Sequence, residues 1–402
     1  MPSAEPNTVV PERMVDLETA RAAHGGRIDQ LARKLMVGDP LADAVIAELD
    51  RLGKEGRRLL NAGLTDGLES LGPHPPAAIA ALLRQVEAVP SWVDPAMLSR
   101  GERATISVPP LWFQLCGMSS ALVHTYSSPA IARLLVQTGK LTTMAPRRLL
   151  ETGMWVRQAT APGGLLRGAP GYIATVQVRL LHARMRMAAL QHGWDSAEWG
   201  TPISQVDVAR TWLDFTLTPF HALATAGIEL TGAEDRDLYA YWSYVAHLLG
   251  LEESFYAEAV DARSARVLLD LLDSTTAPPD DNSRALTTAM IGAQVDALAG
   301  GPRPLMPRPA LEDLIHGLLR RSFGDALADS LGIPVSSATP FLPLLALVNS
   351  QSRRWQTLTA DSAEQARREN AAGPSPDAVA ALVPGGPAYH RHLHGDTADP
   401  AA

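Results

Sequence analysis

The chain has 402 residues, 46% of them hydrophobic and 19% charged, with a formal charge of −8. Composition therefore excludes a disordered or membrane-saturated chain, and the acidic balance offers no basic footprint for nucleic acid. A single cysteine, Cys116, excludes an intrachain disulfide, a CxxC zinc site, an iron–sulfur cluster and a CxxCH haem attachment.

The first residues, MPSAEPNTVVPERMV, lack a basic segment followed by an apolar one, so the chain as given reads as cytoplasmic, secreted only if a signal was removed. No apolar run approaches the length of a membrane span, which leaves only peripheral lipid contact open. Residues 1–37 read as an N-terminal extension. Asp39-Pro40 opens a helix as cap and first residue, with Leu41, Val45, Ile46 and Leu49 on one face up to about Leu64. Ser128-Pro129 repeats the device, with Gly139 as the stop. Further helices are predicted at about 145–158, 171–191, 206–226, 234–250, 252–273, 281–299, 308–321 and 338–354. The Pro/Gly-rich joints between them are too short to separate domains. The chain reads as all-α, one large multi-helix domain over 38–355. Residues 356–402 read as a C-terminal helix and a loosely docked or disordered tail.

Two stripes carry chemistry. In YIATVQVRLLHARMR, Arg179, His182 and Arg186 share one helix face among apolar neighbours. Buried charges of this kind need a partner, and a haem could serve through an imidazole on iron and guanidiniums on propionates. From spacing alone an exposed basic face is the commoner outcome. One helix earlier, Arg148, Glu151, Thr152 and Trp155 form a second stripe, suited to the polar wall of a pocket. Spacing alone favours a plain Arg148–Glu151 ion pair here. His390, His392 and His394 fit a solvated tail better than a metal site. His124, His221 and His247 fit hydrogen-bonded core positions, with Asp207 a first-turn residue and Asp214 a partner of Arg210.

HTYSSPAIARLLVQTG, RRLLETGMW and GYIATVQVRLLHARMR, in this order and spacing, resemble the latex clearing proteins, rubber oxygenases of a wider helical family. The resemblance is densest over 117–194. It implies a globin-like core holding a non-covalent haem b, with His182 as the iron ligand. It carries propionate pairing or helix anchoring to Arg179 and Arg186, and the oxygen pocket to Arg148 and Thr152. Two departures stand out: the rubber enzymes carry a lysine that can cap the iron where this chain has Glu151, and a glutamate base in the region of Ala132, where this chain has none. Glu151 could supply the base from the neighbouring helix, or simply pair with Arg148 or Arg147. The function implied is an O2-using haem oxygenase, of C=C-cleaving dioxygenase type, acting on an apolar unsaturated small molecule or oligomer. A non-catalytic haem sensor or carrier is the alternative.

Overall fold

The computed structural model describes residues 10–137, 145–300, 306–371 and 387–390. Helices form wherever the sequence places apolar residues at helical spacing behind a cap. Asp39 accepts from the Ala42 amide ahead of Pro40–Leu52, and Ser204 and Asp207 cap each other's backbone ahead of Gln205–Thr225. The helices Asp281–Ala299 and Ala145–Thr160 lie where the spacing puts them. No strand forms among the described residues; Met14 and Thr276 make one isolated bridge. The result is a single large helical domain, as predicted.

Some boundaries differ. The stretch predicted as one helix from 39 to 64 is two, Pro40–Leu52 and Lys54–Asp66, broken at Gly53, where φ is +59°. The 252–273 stretch also divides, into Glu253–Tyr256 and Ala262–Asp273, the second restarted by a cap at Asp261. The N-terminal extension is part of the body: Leu17–His24 and Arg27–Leu35 are helical, and Ile28, Leu31 and Leu35 are buried in the main core. Helices Ala77–Glu87, Pro95–Thr105 and Pro110–Tyr126 were not predicted. The last contains a π-helical stretch, Phe113–Met118.

Apolar side chains gather in two main clusters. The larger centres on Trp155, Tyr172, Leu180, Trp212, Tyr241 and Trp242; the smaller joins Pro110–Tyr126 and Gln205–Thr225 to Asp281–Ala299 and Arg308–Phe323. Phe113 and Phe220 touch both. No single described helix is long and apolar enough to cross a membrane. One bent pair, Pro95–Thr105 with Pro110–Tyr126, meets that length and composition, yet residues 119–126 are buried in the fold. Gly139, His392 and His394 lie outside the described residues.

Candidate functional site

The site rests on a helical hairpin, Ala145–Thr160 followed by Pro170–Gln191. Its register is fixed at two points. Gly171 sits so close to the partner helix that a Cβ there would collide with the Gln158 carbonyl oxygen and Ala159. One turn on, Trp155 Nε1 donates to Thr175 Oγ1 at 3.1 Å. The pairs Ala159–Gly171 and Trp155–Thr175 each total 330, as an antiparallel pair requires, and extending that register along the two helices sets Arg148 opposite His182. At the glycine end the helices touch. Toward the other end Leu181, His182 and residues 147–153 keep some accessible surface, and this end of the hairpin is the candidate ligand wedge.

His182 occupies the open end. Its ring makes no hydrogen bond among the described residues, although it retains accessible surface. Burial depresses its pKa to about 4, helped by the nearby Arg186 charge and opposed by Asp39. A neutral, unbonded imidazole is the form a metal ligand needs. Among the described residues no three His, Cys, Asp or Glu side chains converge on a metal site, so a cofactor iron here would take its protein ligand from a lone histidine.

Arg179 and Arg186, on the same helix, are each only 3% exposed. Both have protein partners. Arg179 donates Nε to Asp39 Oδ2 at 2.5 Å and Nη2 to Asp39 Oδ1 at 3.0 Å, while Nη1 reaches Gln85 Oε1 at 2.6 Å. A Cβ at Gly250 would overlap this guanidinium, so glycine there lets the arginine lie against the backbone. Arg186 pairs with Asp43 and donates to the carbonyls of Pro202 and Ile203 at 3.0 and 2.9 Å. The exposed basic face that spacing favoured is not formed. Of the two roles carried to these arginines, the geometry gives helix anchoring; their guanidiniums are engaged by Asp39 and Asp43 rather than held ready for propionates. Sequence reasoning missed both aspartates because Asp39 also caps the 40–52 helix, a role that fully accounted for it.

The facing helix is different. Arg148 Nη2 donates to the Leu135 carbonyl at 3.3 Å, one turn beyond the buried Ala132, while Nη1 is buried without a hydrogen-bond partner. The Arg148–Glu151 pair expected from spacing is absent. Glu151 Oε1 instead accepts from Arg147 Nε at 2.7 Å and from the Ala388 amide at 3.0 Å. Thr152 lies beside it, partly exposed, and Trp155 is locked edge-on against Phe215 and Trp242. The tail residues Pro387–His390 are docked against this helix, with Tyr389 buried and its hydroxyl 3.3 Å from Gln158 Oε1.

His124, expected at a hydrogen-bonded core position, is held between two carboxylates. His124 Nδ1 lies 2.6 Å from Asp214 Oδ1, and its Nε2 is 3.7 Å from Asp273 Oδ2. Arg210 donates to Asp273 at 2.8 Å and lies 3.6 Å from Asp214, which places Asp214 in the partnership predicted for it. His221 and His247 are half-buried, with pKa values lowered first by burial.

The hairpin thus carries an unbonded imidazole on one arm and, on the other, a guanidinium whose Nη1 lacks an acceptor, a pair of polar groups suited to a small-molecule site in an all-helical protein. Residues 110–350 match the family described as ER-bound oxygenase mpaB/B'/Rubber oxygenase, catalytic domain, and the chain belongs to this family. A rubber oxygenase from Streptomyces sp. (strain K30) is 24% identical over 304 residues, 74% of this chain and 71% of that protein. A solved latex clearing protein in its closed state superposes with a TM-score of 0.62 at 21% identity, covering 84% of this chain and 90% of the other. The match confirms the fold. The family makes this chain an oxygenase.

Proposed function

We propose that this oxygenase is haem b-dependent and cleaves or oxidises a C=C bond of an apolar, polyisoprene-like, terpenoid, polyketide or lipid substrate. The observation that carries the reading is the level placement of a neutral, unbonded His182 and the unpartnered Arg148 Nη1 on the two arms of the wedge. A haem fits these residues: His182 would hold the iron, and Leu181 and Leu149 are partly buried apolar neighbours at the same end. When bound, the haem supplies activation of O2.

The chain's own residues set the rest. Arg148 presents an N–H that no protein acceptor satisfies, so it favours a polar or anionic oxygen in the wedge. Glu151 is held by one oxygen only; Oε2 accepts no hydrogen bond among the described residues and can take or return a proton. Thr152, one residue on, can orient a small polar ligand through its hydroxyl. Trp155, Phe215 and Trp242 close the inner end with apolar surface and exclude water.

The test begins with the absorption spectrum of the purified protein, where a Soret band and a b-type pyridine haemochrome are expected. Single turnover of the ferrous protein with O2 and an isoprenoid polyene should then give carbonyl products. Glu151→Gln should leave CO binding intact and lower turnover by about 10²- to 10⁴-fold, the usual loss of a general base. Red protein that binds CO yet yields no oxidised product from any polyene would support the sensor or carrier reading, which the tethering of Glu151 to Arg147 and Ala388 favours.

A further inference from the structure

Glu151 is where a segment 237 positions away in sequence reaches the hairpin. The segment Pro387–His390 forms one short helical turn in which Pro387 and Tyr389 are buried. Tyr389 belongs to the main core, and burial pushes its phenol well up, with the Glu151 charge adding to the effect. Gln158, which accepts from the Tyr389 hydroxyl, is seven residues after Glu151 and so on the same face of the helix. The turn therefore contacts one helix at two levels, through a backbone amide at Glu151 and a hydroxyl at Gln158. Both bonds to Glu151 fall on the same oxygen, Oε1. Their effect is visible next door: at i, i+3 from Arg148, Glu151 is in position to neutralise that guanidinium, and it does not, leaving Nη1 buried and unpaired.

We propose that Pro387–His390 is a positioning element of the ligand site: the Ala388 amide, with Arg147, draws Glu151 off Arg148 and so keeps the Arg148 donor available to a ligand. The proposal rests on the reading of the hairpin wedge as the oxygen-binding site. Without the segment, Glu151 turns to Arg148, the two charges satisfy each other, and the wedge loses both its donor and its open carboxylate oxygen.

The test uses the full chain and a double-mutant cycle between Ala388→Pro and Glu151→Ala. Proline at the first residue of a helical turn keeps the backbone shape and removes only the amide donor. Hydrogen exchange of the 147–152 amides, which needs no bound cofactor, should rise about 10- to 100-fold on Ala388→Pro, the scale of a lost charge-assisted bond. In the Glu151→Ala background the same substitution should change exchange less than about twofold, because its target is gone. CO association to the ferrous protein should slow at least about tenfold on Ala388→Pro, and this effect too should vanish without Glu151. Equal effects in both backgrounds, or none in either, would overturn the proposal by showing that the turn merely packs on the helix. Should Ala388→Pro not fold, Tyr389→Ala removes the anchor instead and is read in the same cycle. A colourless protein would sink the haem reading, and the exchange cycle would still decide the positioning role.

Discussion

The two arms of the hairpin carry similar residues, two arginines among apolar neighbours on one and an arginine with a glutamate on the other, yet they treat charge in opposite ways. On the 170–191 arm each buried guanidinium has carboxylate and carbonyl partners, six bonds that tie the helix to Asp39, Asp43, Gln85 and the 202–203 backbone. On the 145–160 arm a donor is buried without an acceptor, and a carboxylate is pinned by only one oxygen. An unmet polar group inside a protein costs about 1–3 kcal/mol, so the second arm holds a cost that a ligand can relieve. Within the hairpin, saturated charge goes with the scaffold arm and the unmet donor with the arm proposed to face the ligand. A sequence scan cannot separate the two, because the deciding partners are far away in the chain.

The largest expected effect falls on His182, the unbonded imidazole of the 170–191 arm. His182→Ala should abolish stable haem retention, read as loss of the Soret band, whereas His124→Ala should leave it in place; a red His182→Ala protein would remove the histidine from the site. Next come the arginines, where the two arms should respond with very different sizes. Arg179→Leu strands Asp39 in the interior and should lower unfolding free energy by about 3–5 kcal/mol in denaturant titrations. Arg148→Leu should leave stability within about 1 kcal/mol, or raise it, because relief of the unpartnered Nη1 offsets loss of the long Nη2 bond to the Leu135 carbonyl. Similar losses for both would erase the contrast between the arms. The smallest effect concerns pH, and it extends the scaffold rule beyond the hairpin. Burial raises the Asp273 pKa, but Arg210 and His124 together outweigh it and hold the carboxyl below the ordinary aspartate value. A depressed folded-state pKa adds stability above the unfolded value and loses it as pH falls through the folded one. Stability should therefore drop below about pH 4, and Asp273→Asn should flatten that part of the profile.

Much of this was legible in the sequence, and the remainder was hidden for identifiable reasons. Caps and periodicity located the hairpin, whereas the spacing of 179, 182 and 186 favoured an exposed face and only the apolar neighbours pointed to the burial that Arg179 and Arg186 show. What spacing could not show was that Asp39 serves two masters, capping its own helix through Oδ1 and gripping Arg179 with both oxygens. Nor could it choose Arg147 over Arg148 for Glu151, since i,i+3 and i,i+4 geometries differ little in energy and a distant amide tipped the balance. The Pro/Gly-rich text after residue 372 suggests a loose tail, and the four residues that dock within it carry only a proline and a tyrosine as apolar signal. The helices at 17–24 and 27–35 were missed because Arg and Asp dilute a short apolar face that tertiary packing nevertheless completes.

The tight contact at Gly171 has a mechanical consequence. With the Trp155–Thr175 bond as fulcrum, the glycine lies four residues to one side, about 6 Å along the axis, and His182 seven residues to the other, about 10 Å. The hairpin is thus a lever of unequal arms. A methyl group forced in at 171 would spread the short arm and narrow the long one nearly twice as far, squeezing His182 toward Arg148 from a point more than 15 Å away along the helix. Gly171→Ala should accordingly slow CO entry while keeping His182 as the iron ligand; unaltered entry in a folded Gly171→Ala protein would show that the helices bend rather than pivot.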